Sequence, residues 1–240
     1  KMYYLLNNEL KQLKIGRDKF IDILRANHLL IVPKRSYHIT TNSHHRFRKH
    51  QNQLLDLQIQ HPEQVWVSDI TYIGKRDKPC YLSLVTDAYS KKIVGFNVAD
   101  NLNTESSLAA LKKALKQRKD ALLPLIHHSD RGLQYCANEY QNLLKKSNIK
   151  CSMTQNSDPY ENAVAERING ILKQEFGIDK FHNELSITKL LVKNAIEIYN
   201  QKRPHYSNFL LTPNQMHQQN KIKMRTYKTK NSYKNVLATV

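Results

Sequence analysis

The sequence predicts an α/β fold: a mixed five-stranded sheet flanked by helices, preceded by a small helical unit and followed by a basic tail. Three observations lead there. Three β-rich segments follow one another with short links between residues 65 and 98, helical and strand-like segments then alternate from 104 to 154, and positive charge gathers at the two ends. Of the formal +18, residues 1–60 hold eleven Lys or Arg against four acids and residues 201–240 hold eight against none, so the middle is close to neutral.

In the first unit, Leu6, Leu10 and Leu13 recur at helical spacing, Gly16 interrupts, and Phe20, Ile23 and Leu24 resume. Residues 1–32 are therefore expected to form two short helices around a turn, a pair able to set a helix in a DNA groove. Pro33 ends the unit. The run K-R-S-Y-H-I-T-T-N-S-H-H-R-F-R-K-H at 34–50 has few apolar anchors, and 33–60 is expected to be an extended basic linker. With no cysteine nearby, His44 and His45 read as solvated residues of that linker rather than as metal ligands.

The strands begin with V-W-V-S-D-I-T-Y-I at 65–73, bounded by Gly74, and continue with C-Y-L-S-L-V-T-D-A-Y at 80–89 and K-I-V-G-F-N-V at 92–98. Short links between them imply an antiparallel meander. A helix around 104–118, a strand at 124–128, a helix around 137–147 and a short strand at 149–154 follow, and such alternation implies parallel crossovers. Pro159 introduces a further helix, Y-E-N-A-V-A-E-R-I-N-G-I-L-K-Q-E. A meander followed by β-α-β-α resembles the ribonuclease H-like fold. Residues 61–218 are expected to form this core and 219–240 the basic tail.

Composition narrows the function classes. Basic flanks around a near-neutral centre fit a polyanion, most often nucleic acid, because clustered Lys and Arg release counterions from a phosphate backbone. Cys80, Cys136 and Cys151 form no paired framework and read as reduced thiols. No apolar run is long enough to cross a bilayer and no signal-peptide pattern opens the chain, so no membrane partner and a cytoplasmic location are expected.

Three acids carry the candidate chemistry. Asp69 lies within the first strand, on one face with Val65, Val67 and Thr71, where a carboxylate is costly unless something compensates. Asp130 follows the fourth strand, in L-I-H-H-S-D-R-G, where binding groups collect in open α/β sheets. At 100° per residue, Asn162, Glu166, Asn169 and Lys173 lie on the helix face opposite Val164, Ile168, Ile171 and Leu172. Singly, Asp130 reads better as a turn former before Gly132 and Glu166 as solvated helix surface. Together they could converge on one sheet edge as oxygen ligands for two divalent ions, which suits Mg²⁺. The chain contains no G-x-x-x-x-G-K-[ST], G-x-S-x-G or H-E-x-x-H pattern.

At W-V-S-D-I-T-Y (66–72), H-S-D-R-G-L-Q-Y (128–135), E-N-A-V-A-E (161–166) and Y-N-Q-K-R-P-H (199–205), the chain resembles the DDE transposases and retroviral-type integrases. It is most similar to the bacterial insertion-sequence transposases with an integrase core, over nearly all of 16–218. Thirty-five residues separate Asp130 from Glu166, the spacing of that group, and Lys173 follows seven positions later. The resemblance implies that Asp69, Asp130 and Glu166 hold Mg²⁺, with Mn²⁺ able to substitute, and that Lys173 contacts the transposon end. Asn162, Arg167, Asn169 and His128 are further expected DNA contacts, although His128 reads equally as a packed histidine. Glu161 is a rival third acid at the wrong spacing, and Asp87 is a strand acid without assigned metal ligation. The zinc-binding His and Cys pairs that open retroviral integrases are absent.

The implied activity is cleavage at transposon ends and strand transfer into target DNA. Double-stranded DNA, at least a homodimer and a bacterial, nucleoid-associated setting are implied with it. A ribonuclease H-like nuclease or resolvase, or an inactive DNA-binding repressor of transposition, are the alternatives.

Overall fold

The structure is a computed structural model and describes residues 1–31, 50–54, 57–74, 79–155, 162–180 and 184–222. His44, His45, Glu161 and the tail from 223 lie outside the described residues. Three short helices, α1 (Met2–Leu5), α2 (Asn7–Gln12) and α3 (Arg17–Ala26), come first. The expected first helix is split at Leu6, whose φ of −98° and ψ of 18° depart from helical values. Gly16 stands at the N-cap of α3, and Leu10 and Phe20 are the buried apolar pair of this unit.

The β-rich segments form β1 (Val65–Ile73), β2 (Cys80–Asp87) and β3 (Ile93–Ala99), an antiparallel meander. After α4 (Thr104–Gln117), β4 (Leu125–Ser129) returns parallel to β1. The short α5 (Leu133–Cys136) and α6 (Asn138–Lys146) then lead to β5 (Ile149–Met153), parallel to β4. The sheet order is β3-β2-β1-β4-β5. The mixed ribonuclease H-like sheet is thus present, element for element.

Each sheet face buries its own apolar cluster, as the two-residue period of a strand requires. Trp66, Val85, Leu125 and Met153 pack with Leu111 of α4 and Tyr140 and Leu144 of α6. On the other face Ile73, Leu82 and Leu84 meet Ile168 and Leu172 of α7 (Ala163–Gln174) and Val192, Ile196 and Tyr199 of α8 (Leu185–Lys202). Each such fully buried side chain contributes about 1.5–3 kcal/mol. The lack of a side chain at Gly95 lets α4 lie close to β3: a Cβ there would sit 2.2 Å from the Ala110 carbonyl oxygen.

The Y-N-Q-K-R-P-H motif ties α8 to the rest of the sheet. The Tyr199 hydroxyl donates to the Lys91 carbonyl (2.7 Å), and the Asn200 amide bonds both the N–H and the C=O of Ile93 (3.0 and 2.9 Å). The Arg203 guanidinium grips the Glu175 carboxylate just beyond α7 with contacts of 2.6 and 2.5 Å. Lys1 also reaches Glu175, at 3.6 Å, so the first residue touches the core. The last element of the described residues is α9 (Pro213–His217), begun by a capping box of Thr212 and Gln215. Among the described residues no helix is long and apolar enough to cross a membrane, and the three cysteines are free thiols.

Candidate active site

Asp69 projects from the face of β1 that α7 covers, where Val65 and Val67 pack against Ala165. In the parallel pairing of β1 with β4, Val67 stands level with His128. Asp69 follows two residues on within β1, and Asp130 is the first residue past the end of β4, so the parallel pairing brings the two acids near one another. Adjacent strands lie about 4.8 Å apart. Both aspartates are half-buried, and Glu166, exposed in the first turn of α7, brings a third carboxylate from the covering helix.

This proximity has a chemical signature. Burial and the charge of Asp130 push the Asp69 carboxyl up to about 7, and the charge of Glu166 adds to the effect. Two hydrogen bonds pull the other way: the Ile70 N–H donates to Oδ1 at 2.9 Å, and Asn169 Nδ2 donates to Oδ2 at 2.7 Å. Asp130 is held by the Gly132 N–H, which donates to its Oδ1 at 3.0 Å. Burial also raises Glu166 above the ordinary carboxylate range. Like charges brought together in a half-buried place favour a cation among them. Among the described residues no group of three or more His, Cys, Asp or Glu is arranged closely enough to hold a metal ion. The acids form an open set, with Asp69 and Asp130 as neighbours and Glu166 on the rim.

The predicted polar face of α7 is only partly solvent-facing. Asn162 and Asn169 are both buried. Asn162 Nδ2 donates to the Ser68 carbonyl at 3.1 Å, and Asn169 is spent on Asp69. The buried arc of α7 is wider than one apolar stripe because its end at Asn169 packs over β1. Both expected DNA-contact asparagines are thus buried and hydrogen-bonded within the protein, Asn162 to β1 and Asn169 to Asp69. Of the two readings open for His128, its surroundings match the packed histidine: it is fully buried, its Nδ1 within 2.8 Å of Ser152 Oγ, which also accepts the Gln53 N–H at 2.9 Å. Neighbouring His127 lies on the other sheet face, where Nε2 meets Ser68 Oγ (2.8 Å) and Tyr140 Oη (2.9 Å), and burial pushes it down to about 3.

Arg167 is exposed beside Glu166. Lys173 is half-buried with its Nζ 4.4 Å above the Tyr72 ring. Burial lowers its pKa while the charges of Asp179 and Asp69 oppose that loss. Lys173 is thus fixed over a strand residue at one end of the carboxylate set, a placement that helical spacing alone does not give. Asp87 lies outside the set, fully buried and bonded to Ser90 and the Glu63 N–H.

Two supporting residues have no counterpart in the sequence-based expectations. Tyr135, five positions after Asp130, is buried with its hydroxyl unpartnered and feels the charges of both aspartates. Tyr72 supplies the platform under Lys173. Their signal in the sequence is position within the two motifs; nothing in the spacing says which way an aromatic ring points.

An integrase core domain family matches residues 59–159, and a second integrase core domain family matches residues 147–213. The insertion element IS600 31 kDa protein of Shigella sonnei is 34% identical over 193 residues, covering 80% of this chain and 71% of that protein. The chain belongs to the bacterial insertion-sequence transposases with an integrase core.

Transposase InsF for insertion sequence IS3fB of Escherichia coli K12 is 34% identical over 66% of this chain and 55% of its own length. The transposase for IS629 of Shigella sonnei is 32% identical, over 59% of this chain and 47% of its own length. The chain thus spans about half the length of these two relatives. Among solved structures, the simian T-cell lymphotropic virus intasome in complex with PP2A regulatory subunit B56 gamma aligns over 78% of this chain and 65% of its own, with a TM-score of 0.58 at 18% identity. The HTLV-2 integrase catalytic core domain in complex with magnesium, trimeric form, aligns over 65% of this chain and 97% of its own, with a TM-score of 0.52 at 20% identity. These two likenesses establish the retroviral integrase-type fold of the core.

Proposed function

We propose that this chain is the catalytic part of a DNA transposase in which Asp69, Asp130 and Glu166 hold Mg²⁺ ions, with Mn²⁺ able to replace them. The observation that supports this is the Asp69 carboxyl, pushed up to about 7 by burial and by the nearby charges of Asp130 and Glu166. An all-oxygen donor set of this kind fits a hard divalent cation. When bound, such ions stabilise charge on the attacking and leaving oxygens of an in-line phosphoryl displacement.

The side chains supply the rest. Asp69 gives up its proton as the site takes on positive charge, and the Ile70 N–H and Asn169 amide hold its two oxygens in one orientation. Lys173 and Arg167 are placed to hold the DNA backbone beside the carboxylates. Water attacks a phosphodiester at the element end, a new P–O bond forms, and the 3′-oxygen leaves as a hydroxyl. That hydroxyl then attacks a phosphodiester of target DNA, joining the strands and releasing the target's own 3′-hydroxyl. One phosphodiester replaces another, so strand transfer needs no nucleotide cofactor.

The partners of this activity are duplex DNA as element ends and as target, and at least one further copy of the chain, since two ends must be joined together. Residues 1–32, with their helical pair, and the basic tail from 219 are proposed as flanking DNA-contacting units around the 61–218 core. The test is to incubate the protein with Mg²⁺ and end-labelled duplex DNA from the borders of its own element. Nicked 3′-hydroxyl ends together with joined strands are expected. Nicking without joined products makes the protein a nuclease, and binding without either makes it a repressor.

A further inference from the structure

The core is nearly neutral by count, yet its charges are sorted by burial. Glu63 and Asp87 are buried, Asp69 and Asp130 are half-buried in the candidate site, and most of the core's lysines are exposed or half-exposed, with Lys91 buried. Along the outer edge of β3 this sorting is extreme. A groove of about 460 Å³ runs beside that edge strand between α4 on one sheet face and α8 on the other, and Lys92, Lys113, Lys116 and Lys193 all line it. Burial, and after it the charge of Lys119 near Lys92 and of Lys189 near Lys113, disfavours the charged forms of Lys92 and Lys113. The acid in its lining is Glu197, which already pairs with Lys193 at 3.9 Å.

We propose that this groove is a second, sequence-independent binding surface for the phosphate backbone of duplex DNA, on the far sheet edge from β4 and β5. Lys113 is pre-set for the purpose: its Nζ donates to the Phe96 carbonyl (3.0 Å) and to Asn97 Oδ1 (3.4 Å) and lies 5.0 Å over the Phe96 ring. Holding it there reduces the side-chain entropy that anion binding would otherwise cost. The seven-residue strand β3 is roughly 23 Å long at about 3.3 Å per residue, the axial distance over which one DNA strand presents about seven phosphates. Lysines suit this role because they are point charges that hold phosphate and read little sequence. Edge lysines also discourage strand-to-strand pairing, but that need is partly met already by Asn200, which occupies both backbone groups of Ile93. A second copy of the chain seated on this face would set lysines against lysines.

The identity of the polyanion as duplex DNA rests on the transposase reading, so the readout is binding rather than cleavage. Lys92→Gln, Lys113→Gln and Lys116→Gln together remove three charges from exposed or half-exposed side chains outside the catalytic set. Affinity for a duplex lacking the element's ends is measured over a salt series for the full chain and this variant. If all three lysines meet phosphates, the slope of log affinity against log salt becomes shallower by about 2.7, at roughly 0.9 per contact. A change of at least about one unit supports the proposal; a smaller one overturns it. Lys116→Glu alone, on the exposed side of α4, guards against a folding defect in the triple variant and should likewise shift the slope by about one unit. Sedimentation velocity distinguishes the remaining occupant: altered self-association with an unchanged slope gives the face to a second copy and overturns the proposal. A protein that never cuts DNA but shows the slope change loses the transposase reading and keeps this one. Cleavage with an unchanged slope does the reverse.

Discussion

In the proposed site Asp69 is the central carboxylate, and Asn169 is the side chain that orients it. Its amide donates to the carboxylate at 2.7 Å and so favours the charged form, against burial and the neighbouring acids that favour the neutral one. Hydrogen bonds to charged groups are worth about 1.5–3 kcal/mol. Asn169→Ala should therefore raise the Mg²⁺ concentration for half-maximal DNA cleavage by about 10-fold or more and move the acid limb of the pH–rate profile to higher pH. Titrating cleavage against Mg²⁺ at several pH values checks this; a loss of maximal rate with both quantities unmoved would make Asn169 a packing residue only. Asn169 also marks a limit of sequence reasoning. Its place on the polar stripe with Glu166 is legible from 100° spacing, but that stripe's turn inward over β1 depends on how α7 is docked, which no local pattern encodes.

At the scale of elements, α9 shows how buried charge fastens one piece of chain to another. His217 of α9 lies 3.6 Å from Asp87 at the end of β2 and 3.7 Å from Glu63. Burial opposes its imidazolium, but the bonds to these carboxylates outweigh burial and raise its pKa above the usual value. Burial likewise opposes the charged forms of Asp87 and Glu63, and His217 holds both below the ordinary range. The raised histidine contributes stability that is fully present below about pH 6.5 and is lost as pH rises through its folded pKa. The lowered carboxyls contribute above about pH 4 and lose that contribution as acid protonates them. His217→Gln should accordingly lower Tm relative to the wild type by about 3 °C or more near pH 6 and by clearly less at pH 9, a shift matching roughly 1 kcal/mol in a domain of this size. Thermal melts at the two pH values decide it, and an equal loss at both would leave only packing. The strands were legible because β1, β2 and β3 are β-rich runs bounded by turns, and β4 and β5 alternate with amphipathic helices. Helix α8 had no such signature. It carries apolar residues on both sides, Val192, Ile196 and Tyr199 buried and Ile187, Leu190 and Ile198 exposed, so no stripe stands out against the rest.

For the whole molecule, fold and proposed chemistry meet where β1 runs parallel to β4: the pairing that sets Val67 level with His128 brings Asp69 and Asp130, the residue just past β4, close enough to feel each other's charge, with Glu166 on the rim in the first turn of α7. The motifs W-V-S-D and H-S-D-R-G made both aspartates visible in the sequence, but their proximity is a property of parallel strands 60 residues apart in the chain. The charge pattern was legible only at the ends, because a count over the middle cancels buried acids against exposed lysines. The most direct test of the central claim replaces Asp69, Asp130 and Glu166 one at a time by Asn, Asn and Gln, and measures Mg²⁺-dependent cleavage and binding of element-end DNA on the same preparations. Each variant should lose cleavage by more than about 100-fold, beyond the 10–100-fold that loss of a supporting partner costs, and keep DNA affinity within a few-fold of the wild type. Substantial cleavage by any one of the three would remove that residue from the site and contradict the account.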